Sequence, residues 1–267
     1  MKIGLRFVPP TTLVLHRFML SGIVLSPIFL LSLKKVPKDN RSLGKLLIFS
    51  SISVAYIAAT HIGLVEESSG IGAVLTYTQP LFVFCLAIPF LKERVTSIRL
   101  LGAILGFGGI VILFLGKLGS FTLNSSIIMA LGALLWAFAI VYYKKYLSQV
   151  DSLIANFFQL SFGVIPLSIL SLTTNSFAFP RDIEYVWILL YTSVGVLAIG
   201  MTVWLFLIKE EEATLVAGSS FLVPLVALLL GWQFLGETIQ IESVFGSALI
   251  LAGVYLVNMR LTQKKTM

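Results

Sequence analysis

The feature that most constrains this chain is a succession of apolar runs, each close to the twenty or so residues a helix needs to cross a hydrocarbon layer. Nine of them fall near residues 12–33, 44–64, 70–91, 98–116, 125–143, 152–173, 185–208, 213–235 and 242–259, with short connectors between. Lipid offers no partner to a free backbone N–H or C=O, so a spanning segment is a helix or part of a closed barrel. The alternating pattern of barrel strands is absent. The expected fold is therefore all-α, a polytopic membrane helix bundle of nine spans. Charged residues make up only 12% of the chain, about half the share in soluble domains, and they bunch in the connectors. The net charge of +7 lacks the basic face that nucleic-acid binding requires, so no nucleic-acid partner is expected. The first run is too long for the core of a cleaved signal sequence and is kept as a span. Cys85 is the single cysteine, which excludes a disulfide framework or a cysteine metal site within one chain.

Basic residues accumulate in cytoplasmic loops. Threading nine spans puts fourteen of the nineteen lysines and arginines on one side, among them Lys34, Lys35, Arg41, Lys144, Lys145 and Lys209. Lys2, Arg6, Lys117 and Arg181 fall on the other side, and only Arg17 lies within a span. The expected topology is a multi-pass protein of the cell membrane with its C-terminus cytoplasmic and the N-terminus, as given, outside.

The chain also repeats itself. An offset of 144 positions superposes Glu66 on Glu210, Pro80 on Pro224, Leu91 on Leu235, Glu93 on Glu237, Gly102 on Gly246 and Gly109 on Gly253 without a gap. Greasy helices seldom match by chance in prolines, glycines and carboxylates at one offset, so duplication explains the pattern better. Upstream the register changes by two residues, placing Val8 against Val150 and Arg17 against Gln159. The halves are residues 1–119 and 120–267, of four and five helices. The span at 125–143 has no counterpart in the first half. A full unit would hold five spans, and an odd number inserts the second copy upside down. Two inverted-topology repeats are a recurrent plan of secondary transporters, which hold their site near the midplane between related bundles.

Two stretches, TYTQPLFVFCLAIPFLKERVTSIRLLGAILGFGGIVIL and FLVPLVALLLGWQFLGETIQIESVFGSALILAGVYLV, share a proline, an apolar run, Leu-x-Glu and a glycine-spaced helix. In these residues the chain resembles the EamA type of the drug/metabolite transporter superfamily. The resemblance implies ten spans in two five-helix repeats and the export or uptake of small metabolites such as amino acids. It also implies that one helix, the first, is missing here, and in the family that helix helps line the central cavity. A mis-assigned start and a truncated copy both explain the difference.

Several residues are candidates for function. Thr76, Tyr77 and Gln79 precede Pro80, and Ser219 and Ser220 precede Pro224; polar groups at matching depth in lipid either join helices or face a wet cavity. Trp136 and Trp204 lie deep enough to hold an amphipathic solute. These seven are the expected substrate-binding set. Arg17, His61, Pro80 and Pro224 are the expected coupling or gating set: a charge inside a span is costly, histidine carries protons near neutral pH, and proline bends a helix. The blander roles are snorkelling for Arg17, an interfacial hydrogen bond for His61 and a static kink for the prolines. Tyr142 and Tyr143 are read as interfacial anchors, Glu93 as a helix end paired with neighbouring basic residues, and Gly102, Gly106 and Gly109 as a strip where another helix approaches closely.

The leading function is a secondary transporter of small organic metabolites working by alternating access, with the lipid bilayer as its environment and a homodimer left open. No cofactor, metal or catalytic residue is expected: the phosphate-binding G-x-x-x-x-G-K-[ST] is missing, as are H-E-x-x-H and G-x-S-x-G, and no aspartate lies in a span. The alternatives are a degenerate copy without activity and, more remotely, an intramembrane enzyme.

Overall fold

The computed structural model describes residues 3–119, 122–173, 179–235 and 240–259. Glu237 and the basic residues Lys2, Arg260, Lys264 and Lys265, used above in the repeat and topology arguments, lie outside them. The described residues form helices and connectors only. In chain order the helices are α1 (Pro10–Leu31), α2 (Asn40–Gly63), α3 (Ser69–Thr76), α4 (Gln79–Leu91), α5 (Ser97–Leu113), α6 (Leu123–Tyr146) and α7 (Ser152–Thr173). There follow α8 (Ile183–Leu190), a π-helical stretch (Tyr191–Gly200), α9 (Met201–Glu210), α10 (Ala213–Ser219), α11 (Leu222–Leu235) and α12 (Ile241–Asn258). Among the described residues, eight helical stretches are long and apolar enough to cross a membrane. The run expected at 98–116 is α5, whose 17 residues sit at the short end of the spanning range.

Start signals in the sequence place these helices. The carboxylate of Asp39 accepts the Ser42 N–H (2.7 Å), the Ser68 hydroxyl accepts that of Ile71 (3.2 Å), and Asp182 accepts that of Glu184 (2.8 Å). Each satisfies a donor left free at a helix start. Ser42 thereby holds the Asp39 carboxyl below its ordinary pKa.

The prolines act more strongly than the expected kink. Pro80 and Pro224 do not bend continuous helices; each lies within the first three residues of a new helix that follows a break. A prolyl ring clashes with the carbonyl four residues earlier. For Pro80 that residue is Thr76, where α3 ends, and for Pro224 it is Ser220, just past α10. Tighter bonds bridge the gaps, Thr78 N–H to Leu75 O (3.2 Å) and Phe221 N–H to Gly218 O (3.2 Å).

Three helix pairs organise the bundle: α1 with α7, α2 with α6, and α5 with α12. The last is a backbone-to-backbone seam. A Cβ built on Gly102 would come within 2.7 Å of the Gly253 carbonyl, and one on Gly109 within 2.6 Å of the Gly246 carbonyl. The contact is reciprocal, since a Cβ on Gly246 would meet Gly109 O at 2.7 Å and one on Gly253 would meet Gly102 O at 2.6 Å. Glycines 144 positions apart in the sequence thus exchange partners, as residues do across a two-fold axis. The larger apolar cluster joins α1, α2, α6, α7 and α9 through Phe18, Phe49, Tyr143, Ile154 and Leu205. Tyr143 is fully buried, with its hydroxyl 3.2 Å from that of Ser152, so it serves the core rather than the interface. Leu31, Ile104, Phe245 and Tyr255 stay exposed and form part of the surface offered to lipid.

The π-helical stretch is held by side chains from both flanking helices. Arg17 and Ser21 of α1 donate to the carbonyls of Thr192 (3.4 Å) and Ser193 (3.0 Å), and Asn156 of α7 donates to Leu197 O (2.8 Å). Shorter wide turns of this kind are frequent at functional sites.

Candidate functional site

A cavity lies midway along α2 and α6, closed laterally by α7 and α9. Ser53 and Tyr56 of α2, Trp136 of α6, Gln159 of α7 and Trp204 of α9 line it, with Phe49 and Leu205 at its apolar side. The rings form a wall. Tyr56 stacks on Trp136 with centroids 5.6 Å apart and planes 9° from parallel, and Trp136 lies 6.5 Å from Trp204. Facing them are polar atoms with nothing to bind. Ser53 Oγ, both amide atoms of Gln159 and Trp204 Nε1 are buried without a hydrogen-bond partner, although leaving such a group unsatisfied costs about 1–3 kcal/mol. Four unsatisfied atoms from three separate elements converge on one space, an arrangement that a polar guest or an ordered water would satisfy. Its volume is about 10 Å³, room for at most one water and far below the roughly 300 Å³ where ligand pockets begin. A solute therefore enters only when the helices part.

A second polar centre stands beside the cavity, toward the end of the bundle away from the lysines. Arg17 is 2% exposed, so it does not snorkel. Its Nη1 donates to His61 Nε2 at 3.0 Å, and His61 Nδ1–H donates to the Ile57 carbonyl at 2.8 Å. Because a carbonyl only accepts, Nδ1 carries the proton and Nε2 is free to receive the guanidinium. His61 is thus a buried neutral histidine rather than an interfacial one. The Arg17 Nε is buried and unpartnered, and among the described residues no carboxylate pairs with Arg17. His16, the next residue, points elsewhere and bonds the Tyr185 hydroxyl at 2.6 Å.

Both ends of the bundle are latched. At the lysine-rich end Glu93 does not pair with Lys92 or Arg94; its carboxylate caps α10, accepting from Ala213 N–H (2.7 Å), Thr214 N–H (3.1 Å) and the Thr214 hydroxyl (2.7 Å). Lys92, with φ of 57°, ends α4 in the left-handed conformation and turns the chain toward that cap. Arg99 pairs with Glu212, and Lys144 Nζ donates to the carbonyls of Lys209 (2.9 Å) and Glu211 (2.8 Å). At the opposite end Glu66 accepts from Ser125, and Glu67 accepts from the Thr122 N–H (3.1 Å) and the Ser126 hydroxyl (2.6 Å).

Residues 1–115 and 124–259 match the EamA-like transporter family. The chain belongs to that family. It is 29% identical to the uncharacterized transporter YvbV of Bacillus subtilis over 99% of this chain and 87% of the relative. It is 30% identical to an uncharacterized transporter of Acidianus ambivalens over 90% of each. The uncharacterized inner membrane transporter YedA of Escherichia coli is 29% identical over 96% of this chain and 86% of its own. A solved crystal structure shares the fold, with a TM-score of 0.81, 17% identity, and coverage of 96% of this chain and 89% of the other. The EamA-like chain is accordingly a multi-pass membrane transporter of the cell membrane.

Of the residues singled out in the sequence, this EamA-like structure brings Trp136 and Trp204 together on the cavity. It places the proline-adjacent set elsewhere. Thr76, Ser219 and Ser220 donate to carbonyls of their own helices, Gly72, Leu215 and Ala217, while Tyr77 packs with Phe84 and Phe221 in a separate apolar cluster. Gln79 is buried with its Nε2 unpartnered, away from the aromatic wall. Tyr56 and Ser53 were not foreseen, because nothing in SSISVAYIAAT marks which face meets α6. Gln159 carried a signal: it is the repeat counterpart of Arg17.

Proposed function

We propose that this chain is a secondary transporter carrying one small amphipathic organic metabolite across the membrane by alternating access. The solute is held between the Tyr56–Trp136–Trp204 wall and the polar atoms of Ser53 and Gln159. The observation that carries this reading is the convergence of buried, unsatisfied polar atoms from α2, α7 and α9 on one mid-span cavity beside stacked aromatic rings. A stacked wall supplies the apolar contact and the orphan donors supply orientation, which is the usual division of labour in a small-molecule site. The latches at both ends make this the occluded arrangement, and alternating access releases one set at a time. The inverted relation of residues 1–119 and 120–267 supplies two such sets, and the reciprocal glycine seam supports that relation. The basic end is cytoplasmic, by the charge bias of the connectors.

Reconstituted protein in liposomes preloaded with each member of a panel of amino acids, nucleosides and small organic acids should accumulate the matching labelled compound by counterflow. At least one member should be taken up several-fold faster than by protein-free vesicles, and Gln159→Ala should reduce that uptake. Inactivity across the whole panel would overturn the proposal.

A further inference from the structure

We propose that the Arg17–His61 centre binds the carboxylate of an organic anion whose apolar body lies on the neighbouring aromatic wall; this rests on the transport reading above and names the solute's chemical class. The argument starts from an unbalanced charge. A guanidinium within a span normally pairs with an acidic group or faces water, yet Arg17 is 2% exposed and among the described residues bonds only a neutral imidazole and, at 3.4 Å, the Thr192 carbonyl. Its Nε–H has no partner among the described residues. Guanidinium offers five donors in a planar fork matched to the two oxygens of a carboxylate, so its free donors and its missing counter-charge define the same absent group.

Neighbouring residues say what the rest of the molecule looks like. Arg17 lies within electrostatic reach of Tyr56, the residue that begins the aromatic wall. His61 is five residues beyond Tyr56 on α2, about 7 Å along the axis at 1.5 Å per residue. A carboxylate at Arg17 therefore needs a spacer to reach the rings, and a two-carbon spacer is the length probed below. Gln159, which aligns with Arg17 in the sequence repeat, lines the aromatic cavity with a neutral amide, while Arg17 and His61 stand outside its lining, next to Tyr56. His61 positions the fork by accepting from Nη1, and its own tautomer is fixed by Ile57.

Two probes of equal shape test the assignment: 3-phenylpropionate and its uncharged amide, 3-phenylpropanamide, titrated against the purified full-length chain in detergent while tryptophan fluorescence is followed. The wild-type protein should prefer the anion by about tenfold or more, the scale of a charge-assisted bidentate pair. Arg17→Gln should lose that preference to within about twofold while keeping its affinity for the amide, which shows that the cavity is intact. Should Arg17→Gln fail to purify, Arg17→Lys keeps the charge without the fork and should lose several-fold in anion affinity alone. No preference for the anion in the wild type, no binding of either probe, or an unchanged preference in the purified variants would overturn the assignment. A chain that carries uncharged solutes in the liposome panel without favouring the anion retains the transport reading and loses this one. A chain that binds the anion and carries nothing does the reverse.

Discussion

Replacing Gly253 by alanine tests the seam between α5 and α12. The new Cβ would lie 2.5 Å from Gly106 N, 2.6 Å from Gly102 O and 2.7 Å from Gly106 Cα, all of them backbone. No rotamer change relieves such a clash. Ordinary contact begins near 3.4 Å, so the helices must separate by about 0.9 Å, and overpacking of this kind costs about 1–3 kcal/mol. Alanine also gains about 1 kcal/mol over glycine in a helix interior, which would mask part of the loss. Gly108→Ala supplies the control, since nothing lies within 4 Å of its added Cβ. The propensity gain is common to both variants, and their difference reports the clash alone. For a chain of this size each kcal/mol moves the Tm by roughly 2–4 °C, so Gly253→Ala should melt roughly 2–12 °C below Gly108→Ala. The assay is loss of helical circular dichroism on heating in detergent. Equal Tm values would refute the close backbone approach and, with it, the reciprocal contact.

Other outcomes follow from the same geometry. Trp204→Phe keeps the ring and removes an N–H that has no partner, so Tm should hold while the affinity for a transported solute falls several-fold, as read by counterflow; a large fall in Tm would contradict the orphan N–H. Glu93→Ala uncaps α10 and should cost about 1 kcal/mol, seen as faster amide exchange at residues 213 and 214 with little change in α2. Asp151 is half-buried, which pushes its carboxyl up, but the Lys35 ammonium at 2.8 Å and the Leu153 N–H outweigh this and hold it below the ordinary value. A carboxyl depressed in the folded state adds stability above its unfolded pKa of about 4, and that stability is lost as pH falls through the lower, folded value. Lys35 is 62% exposed, so the effect is a few tenths of a kcal/mol, and Asp151→Asn should lower the neutral plateau of a Tm-against-pH curve by about 1 °C and flatten its acid limb, the two proteins converging at low pH.

The fold was legible where one physical constraint dominates. Lipid forces helices, so the apolar runs at 152–173 and 242–259 locate α7 and α12 almost to the residue, and the glycine spacing of 102, 106 and 109 announced the α5–α12 seam. Less legible was anything that depends on which neighbour a face meets. In water the polar face of a helix marks the outside; in lipid an outward face and a buried one are equally greasy, so the part of α2 that carries Ser53 and Tyr56 looked no different from its other faces. The prolines read as kinks because sequence gives the missing N–H but not whether the chain recovers its helix or restarts it. Glu93 read as a helix end paired with Lys92 and Arg94 because its true partner, the start of α10, lies 120 residues further on.

The wide helix between Tyr191 and Gly200 has a mechanical consequence. Its backbone rings close over five residues instead of four, so the stretch holds slack that an ordinary helix lacks. Tightening the stretch to ordinary helical pitch would turn α9 about its own axis, and Trp204 with it. The carbonyls of Thr192, Ser193 and Leu197, bonded by Arg17, Ser21 and Asn156, are what hold that slack at its present pitch.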